Sequence, residues 1–410
     1  MYKIKSQSRL DHKKQVIYLI SSPLSKRDFD RFGITNWIDA GWKVKVFDIT
    51  NFLYPEYWQH IRGDQLSIKF KGLKIINNFI EVITLFKDID GKVVFIDLLK
   101  FSRMEEKIRN AAREHGPLVK IKLGSIPKVE LKRDMLSLFF LLKNPLRFYK
   151  KLKNYVKRKF EINRSLNYTP DYLVVGGKKS ISRIDHKKTS VIRAHNLDYD
   201  FFIRENEIKK KTFSLVFLDE YGPYHPDFNR LNIKPYITAD NYYPIIDFGL
   251  SKIAKSLNLN VKIAAHPKSD YRNKYSKYNH PIFENKTFQL IKEAEVIVTL
   301  GSTALQWAVI MKKPIIFVTT NEIQNSDNAK AYSRFIDFYA KTLGKKVLNL
   351  SNLSKVNEFK EYLVVNEDKY ENYIDDYIKT KGSPNKLVWN IVIEHIENDL
   401  FRKKIKFGHN

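Results

Sequence analysis

Short runs of β-branched and other apolar residues alternate with helical stretches along this chain. Continuous apolar runs of this kind are typical of strands that are buried on both faces of a parallel sheet. Eleven such runs occur, at residues 15–20, 44–49, 93–99, 118–123, 172–177, 190–196, 214–220, 261–267, 295–300, 314–318 and 346–350. The pattern predicts an α/β protein with parallel sheets.

The predicted strands fall into two series. A charged stretch without apolar periodicity, RENEIKKKT at 204–212, separates them and is typical of a linker. Two successive βα series predict two doubly wound, Rossmann-like α/β domains that face a cleft. We place the first domain at residues 1–205, with a basic insertion near 125–165, and the second at residues 206–410, with helices at its C-terminal end.

Ligands of doubly wound sheets bind outside the carboxyl ends of the strands, so the residues just after each strand are the first functional candidates. Gly301, Ser302 and Thr303 follow one predicted strand and precede a helix that we expect to begin near Ala304. A hydroxyl group there can cap the helix, and the free N–H groups of a helix N-terminus can bind a phosphate. A plain cap and a phosphate site are both consistent with this stretch.

A second candidate is His266-Pro267, which ends the preceding predicted strand of the same series and is followed by Lys268. Because parallel strands end at one edge, we expect it on the same rim as the Gly-Ser-Thr stretch. A histidine and a lysine can donate to a phosphate, and the proline fixes the turn that presents them. Two further His-Pro pairs begin at 225 and 280, and we interpret the latter as an ordinary turn.

Acidic residues follow a predicted strand in both domains. Asp219 and Glu220 end the first strand of the second domain, shortly before a Gly-Pro turn, and they suit a general base or a nucleophile for group transfer. A solvated strand end has the same pattern. Asp198 and Asp200 form an Asp-Tyr-Asp stretch in the first domain, but no third ligand accompanies them, so we expect no metal.

Composition narrows the choice of partner. The chain has 410 residues, 43% of them hydrophobic, which is enough for more than one buried core. It carries 73 Lys and Arg against 45 Asp and Glu, a formal charge of +28, and this favours an anionic partner. The lack of cysteine excludes disulfides and thiolate chemistry. With no apolar run of membrane-spanning length and no apolar leader, we expect a cytoplasmic protein.

The order of these motifs has a parallel in known enzymes. LDEYG, HP and ST resemble the acidic, His-Pro and Ser-Ser/Thr motifs of bacterial sialyltransferases that use CMP-activated donors. The longer pattern includes ISSPLSKRDFDRFGI, FLDEYGPYHPD, AAHP and TLGSTALQWAV followed by KKPIIF. It more closely resembles the β-Kdo glycosyltransferase modules of bacterial O-antigen and capsule synthases. The similarity extends from about residue 15 to about residue 320.

The resemblance implies a GT-B-like fold and transfer of Kdo from CMP-Kdo to a lipopolysaccharide O-antigen or a capsule, without a metal or other cofactor. It also implies retention through an aspartate nucleophile, which maps to Asp219. Because Tyr221 separates the two acids from the glycine here, Glu220 and Asp198 stay open as alternatives. The resemblance assigns the last two motifs to the CMP phosphate, with the residues His266, Pro267, Lys268, Gly301, Ser302 and Thr303.

Several alternatives stay open. A sialic-acid-type (nonulosonate) donor would share the CMP phosphate and carboxylate of CMP-Kdo, and both need several cations and hydrogen-bond donors. A nucleic-acid-binding protein would suit the charge and the 23 Tyr and 27 Phe, but the aromatic residues are scattered and form no recognisable module. We therefore expect no nucleic acid partner. Further donor or acceptor contacts are offered in the first domain by Ser22, Ser25, Lys26, Arg27, Lys178 and Lys179.

The segment 131–160 differs from the rest of the chain. It has ten Lys and Arg, one acid, and an apolar cluster from Met135 to Leu142 that is too short to span a bilayer. This pattern predicts an interfacial basic element that would hold the enzyme peripherally on the inner face of the cytoplasmic membrane. Such attachment would suit a lipid-linked glycan acceptor. A basic helix packed on the first sheet is equally consistent with the pattern.

Neutralising the eight Lys and Arg from Lys143 to Lys159 is expected to release the protein from anionic liposomes. Each basic residue near such a surface contributes about 1 kcal/mol of binding free energy, and salt screens that attraction. Sedimentation with anionic and with neutral vesicles, at low and high salt, measures the effect. Equal sedimentation of the variant and the wild-type protein would assign the segment a structural role instead.

Overall fold

The computed structural model describes residues 14–56, 58, 68–124, 126–127, 160, 163, 168–181, 188–205, 212–225, 228, 234–267, 269–271, 278–326, 329–355 and 359–407. The predicted basic segment at 131–160, except for its last residue, lies outside these ranges. No helix within them is long and apolar enough to cross a membrane.

Strands and helices alternate through much of the described ranges. The strands are β1 (Lys14–Ile20), β2 (Lys43–Asp48), β3 (Leu73–Ile75), β4 (Lys92–Leu98), β5 (Leu118–Lys122), β6 (Tyr172–Val175), β7 (Ser190–Arg193), β8 (Ser214–Leu218), β9 (Asn260–Ala264), β10 (Ile282–Phe283), β11 (Val296–Thr299), β12 (Ile315–Thr319) and β13 (Val347–Asn349). The α-helices are α1 (Lys26–Arg31), α2 (Ile34–Asp39), α3 (Thr50–Leu53), α4 (Phe79–Lys87), α5 (Arg103–Arg113), α6 (Leu197–Arg204), α7 (Ala239–Leu257), α8 (Thr287–Glu293), α9 (Leu305–Ile310), α10 (Asn321–Asn325), α11 (Lys330–Thr342), α12 (Lys360–Leu363), α13 (Glu367–Tyr373) and α14 (Val388–Phe407).

Both sheets have the doubly wound strand order. The first runs β3-β2-β1-β4-β5-β6-β7 and the second β10-β9-β8-β11-β12-β13, and neighbouring strands are parallel in both. In each sheet the first strand is central, and the chain adds strands on one side before it crosses to the other. The predicted fold class, an α/β protein of two doubly wound Rossmann-like units, is confirmed.

All eleven predicted strands are present, with small shifts at their ends. The sequence missed β3 and β10, which are edge strands of three and two residues. Strands this short bury too little apolar surface to leave a continuous apolar run in the sequence.

The division into units differs from the predicted domains. The first unit contains residues 1–123, 133–197 and 382–410, and the second contains 124–132 and 198–381. The change between units therefore falls at the start of α6 and not at the charged stretch, most of which lies outside the described residues. The last helix, which the sequence placed in the second domain, belongs to the first unit.

The packing of α14 explains that difference. Its buried Trp389 joins the same core as Trp37 of α2 and Ile96 of β4. Gly33, just before α2, has a left-handed φ of 62°, and a Cβ atom there would overlap the ring of Trp389. Only glycine fits that approach without strain. A contact between residues so far apart in sequence leaves no local pattern.

A buried ion pair connects the first sheet to α5. The Arg109 Nε atom lies 2.7 Å from Asp97 Oδ2 on β4, and both side chains are almost fully buried. The Lys120 Nζ atom on β5 lies 3.4 Å from the same oxygen. Burial alone would raise the pKa of Asp97, but the positive charges of Lys120 and Arg109 hold it below its ordinary value.

Arg109→Met is expected to lower the free energy of unfolding of the first unit by about 3–5 kcal/mol, because a buried carboxylate then loses its closest partner. Arg113→Met, on the same helix, is the matched control. Its side chain is 38% exposed and its Nε lies 3.9 Å from Asp171, so we expect a loss of at most about 1 kcal/mol. Urea unfolding followed by circular dichroism measures both. Equal losses would contradict a stabilising role for the buried pair.

Candidate active site

The three predicted motifs leave the second sheet at one edge. Leu218, the last residue of β8, pairs with Ala264 at the end of β9 and with Thr299 at the end of β11. The acidic, His-Pro and Gly-Ser-Thr stretches therefore follow three adjacent strands at the same level. The crevice between β8 and β11, where the strand order reverses, is the usual ligand position in such sheets.

Asp219 is enclosed by hydrogen-bond donors. Its Oδ1 accepts hydrogen bonds from the Tyr221 backbone N–H and the Tyr242 hydroxyl, both at 3.0 Å, and its Oδ2 accepts one from the Tyr271 hydroxyl. The residue is 2% exposed. Burial raises the pKa of Asp219 above its ordinary value, and the hydrogen bonds it accepts oppose that rise. These contacts anchor the loop after β8.

The loop after β8 turns sharply at Tyr221. This residue has a left-handed φ of 55°, which is uncommon for a side chain of its size, and the turn Gly222–Tyr224 follows it. The hydrogen bond from its N–H to Asp219 supports that conformation. The tyrosine that interrupts the expected acid-acid-glycine pattern is thus the residue at which the chain turns.

Glu220 lies on the other side of the strand end. Its carboxylate accepts a hydrogen bond from the hydroxyl of Tyr332 on α11, whose ring stacks on Tyr236 at a centroid distance of 4.9 Å. Burial raises the pKa of Glu220 to about 7. A carboxyl group that titrates near neutral pH can accept or release a proton during a reaction. Unlike Asp219, Glu220 keeps part of its surface exposed.

Gly301 allows the end of β11 to approach these groups. A Cβ atom at this position would lie 2.8 Å from Cε1 of Phe335 and 3.8 Å from Oε1 of Glu220. The first distance is closer than real Cβ contacts, so a larger residue would displace the ring of Phe335. The glycine of the predicted motif is therefore explained by close packing.

Ser302 and Thr303 differ from the prediction that they cap the next helix. Helix α9 begins at Leu305, its N-cap is Ala304, and no side chain caps it. The Ser302 Oγ accepts a long hydrogen bond of 3.4 Å from the Ala304 N–H. Ala304 precedes the first helical residue, so this hydrogen bond does not cap α9. Because α9 has only six residues, its dipole contributes little to the binding of an anion. Thr303 is exposed and Ser302 is half-buried, so the hydroxyl of Thr303 is the more accessible of the two.

His266 follows β9 and is half-buried, and Pro267 is exposed. The carbonyl of His266 accepts hydrogen bonds from the Ser269 N–H at 2.9 Å and the Ser269 hydroxyl at 2.6 Å, which hold the turn. Lys268 lies outside the described residues. The ring of His225, from the loop after β8, stands beside the ring of His266.

Asp198 and Asp200 lie in the first turn of α6. The backbone carbonyl of Asp198 accepts a hydrogen bond of 2.8 Å from Nε1 of Trp307 on α9, and Asp200 is buried. Among the described residues, no three His, Asp or Glu side chains are grouped as metal ligands would be. The absence of a metal requirement stays a prediction.

The candidate donors of the first unit are separate surface groups. Ser25 caps α1: its Oγ accepts from the Asp28 N–H at 3.1 Å and donates to Asp28 Oδ2 at 2.7 Å. The remaining candidates lie exposed after β1 and β6, namely Ser22, Lys26, Arg27, Lys178 and Lys179. The first unit also holds a cavity of about 540 Å³, which lies against α5 and is lined by Phe101, Ser102, Glu106, Arg109, Asn110, Arg113, Tyr168, Thr169, Asp171 and Lys188.

The sequence missed the aromatic residues around the two carboxylates. Tyr332 is 112 residues from Glu220, and Tyr242 is 23 residues from Asp219. Neither belongs to a motif, and a tyrosine on a helix is usually packed in a core. His225 begins a His-Pro pair as His266 does, but only His266 ends a predicted strand, so the sequence analysis assigned no role to His225.

No family model and no curated protein matches this chain. Among solved structures, the chain is similar to the wall teichoic acid polymerase TagF, with 11% identity over 96% of this chain and 89% of that chain and a TM-score of 0.48. It is also similar to the UDP-GlcNAc 2-epimerase of Methanocaldococcus jannaschii (13% identity, 94% and 99%, TM-score 0.45). A third is the glycotransferase of kitacinnamycin (11% identity, 88% and 95%, TM-score 0.40).

Glu220→Gln is expected to change how stability depends on pH. Because burial raises the pKa of Glu220 from 4.5 to about 7, the protonated form stabilises the fold fully below pH 4.5, and this contribution is lost as pH rises to 7. The glutamine cannot ionise. The variant should therefore match wild type near pH 4.5 and exceed it above pH 7 by about 3 kcal/mol.

Urea unfolding of the second unit across this pH range measures that difference. Glu284→Gln, at an exposed position of the same unit, is the control and should stay within about 0.5 kcal/mol of wild type. A gap between Glu220→Gln and wild type that does not vary with pH would show that Glu220 does not titrate in this window.

Proposed function

We propose that this chain is a glycosyltransferase that transfers a sugar from a nucleotide-activated donor to a glycan acceptor. CMP-Kdo is the first donor to test, and a sialic-acid-type CMP donor is the alternative. The proposed acceptor is a bacterial surface polysaccharide, either a lipopolysaccharide O-antigen or a capsule, that is lipid-linked. The reaction needs no metal in this proposal.

One observation carries the proposal. The acidic, His-Pro and Gly-Ser-Thr stretches, far apart in the chain, follow β8, β9 and β11, which are adjacent and end at the same level. If the three short motifs occurred by chance, we would not expect them to follow three neighbouring strands. The order of the motifs is also the order of those in CMP-dependent transferases, as the sequence resemblance implies.

We assign the phosphate of the donor to the groups on both sides of β8. His266 supplies a ring N–H after β9, and Ser302 and Thr303 supply hydroxyls and backbone N–H groups after β11. Charge-assisted hydrogen bonds of this kind recognise phosphate oxygens well. Gly301 allows close approach of the backbone at the same place.

We assign the proton transfer to Glu220. Sugar transfer breaks the bond between the anomeric carbon and a phosphate oxygen of CMP, forms a bond from that carbon to an acceptor oxygen, and releases the acceptor's hydroxyl proton. Glu220 is a partly exposed residue, and its carboxyl group, with a pKa of about 7, suits the uptake of that proton.

Asp219 was the predicted nucleophile of a retaining mechanism. A nucleophilic carboxylate must reach the anomeric carbon, whereas both oxygens of Asp219 accept hydrogen bonds and the residue is 2% exposed. We therefore propose that Asp219 positions the loop after β8. Its neighbour Glu220 is then the better candidate for contact with the substrate.

Glu220→Gln is expected to lower the rate of transfer by about 10²–10⁴-fold, which is the usual contribution of a general acid or base, with donor affinity close to wild type. Asp219→Asn should mainly lower thermal stability, because an amide cannot accept all the hydrogen bonds that the carboxylate accepts. Transfer from CMP-Kdo, donor affinity by calorimetry and thermal unfolding are measured for both adjacent variants.

Mass spectrometry of the intact protein after incubation with CMP-Kdo separates the mechanisms. A sugar-sized adduct on Asp219 would restore that residue as nucleophile and contradict our assignment, and one on Asp198 would move the chemistry to α6. A wild-type protein that neither binds nor uses CMP-Kdo, CMP-sialic acid, UDP-GlcNAc or CDP-activated donors would refute the proposed function.

A further inference from the structure

Two histidines from neighbouring strand ends stand side by side in the second unit. The ring centroids of His225 and His266 are 4.8 Å apart, with an interplanar angle of 62°. His225 comes from the loop after β8, and His266 lies two residues after the end of β9. Both side chains are half-buried, so a ligand can reach them.

The loop after β8 brings His225 to this place. The chain folds back at Tyr221, whose backbone N–H donates to the Asp219 carboxylate, and at the short turn Gly222–Tyr224. His225 then has an extended backbone, with φ −58° and ψ 125°, as expected for a residue before proline. The buried Asp219 carboxylate therefore holds the loop that carries His225.

An aromatic series continues from this pair towards the carboxylate of Glu220. His225 contacts Phe228, Phe228 contacts Tyr236, and Tyr236 stacks on Tyr332, at centroid distances of 6.3, 5.5 and 4.9 Å. Tyr332 donates its hydroxyl proton to Glu220. Three ring contacts and one hydrogen bond thus connect the pair to the proposed proton-transfer group.

Two imidazole rings in contact favour an anion. Two protonated rings at this separation would repel each other, and a group with at least two negatively charged oxygens offsets that repulsion by accepting an N–H from each ring. A phosphate has this chemistry.

We propose that His225 and His266 together form the binding site for the donor phosphate. This inference rests on the proposed function and adds a residue to which the sequence resemblance gave no role. His225 is a binding residue, and the loop that carries it is held in place by Asp219.

A double-mutant cycle tests the pair. Calorimetric titration with CMP compares wild type, His225→Ala, His266→Ala and the double variant. Each single substitution should weaken binding about 10–100-fold, the usual effect of a lost charge-assisted hydrogen bond, and the double variant should lose less than the product of the two. Wild-type affinity of His225→Ala, or losses that simply multiply, would overturn the inference.

Four controls sharpen the result. His280→Ala removes the histidine of the third His-Pro pair, whose ring lies beside Ser251 and Asp247 instead, and it should bind CMP as wild type does. Thermal unfolding of each variant checks the fold, and His225→Asn, which keeps a donor, should recover part of the affinity. Cytidine, which lacks the phosphate, should bind all single variants equally. An equal loss for cytidine and CMP would mean that His225 contacts the base.

Inorganic phosphate separates this inference from the proposed function. Imidazole ¹⁵N and ¹H NMR signals of both histidines should shift together when phosphate is titrated into the wild-type protein. If no nucleotide binds but both signals shift, the anion site stands and the transferase proposal falls. If neither signal shifts and no nucleotide binds, the pair is an aromatic contact only and the inference is wrong.

Discussion

The reversal of strand order at β8 is the constraint on which the rest of the second unit depends. Parallel strands need crossover connections, so a strand that is first in sequence and central in the sheet receives neighbours from both directions. Its carboxyl end is then flanked by loops from two distant parts of the chain, those after β9 and β11. Every group that we assign to substrate binding or chemistry is held at that one place, above a strand whose five residues are all buried.

The alternation of side chains along an extended backbone explains why two adjacent acids have different environments. Successive residues point to opposite sides, so Asp219 and Glu220 cannot share one partner. Asp219 faces tyrosines from α7 and from the loop after β9, whereas Glu220 faces Tyr332 of α11 and the glycine after β11. One carboxylate is thereby committed to holding a loop, and the other keeps a raised pKa and some contact with solvent.

The features that could be predicted were those that leave a pattern in neighbouring residues of the sequence. Buried parallel strands leave apolar runs, and their ends mark candidate residues, so the architecture and the positions of Glu220, His266 and Gly301 followed from the sequence. The tyrosines did not, because their partners are set by tertiary packing. The packing of α14 on the first unit left no local pattern either, so the sequence placed that helix with its nearest neighbours in the chain.

The contact between Gly33 and Trp389 has a consequence for the order of folding. The second unit is an insertion within the first, since residues on both sides of it complete one core. During synthesis, β1 and α2 would leave the ribosome long before the helix that covers them, and Trp37 would stay exposed until Trp389 arrived. The second unit, which needs no such late segment, can therefore close first, so the N-terminal part of the chain would be the last to reach its native state.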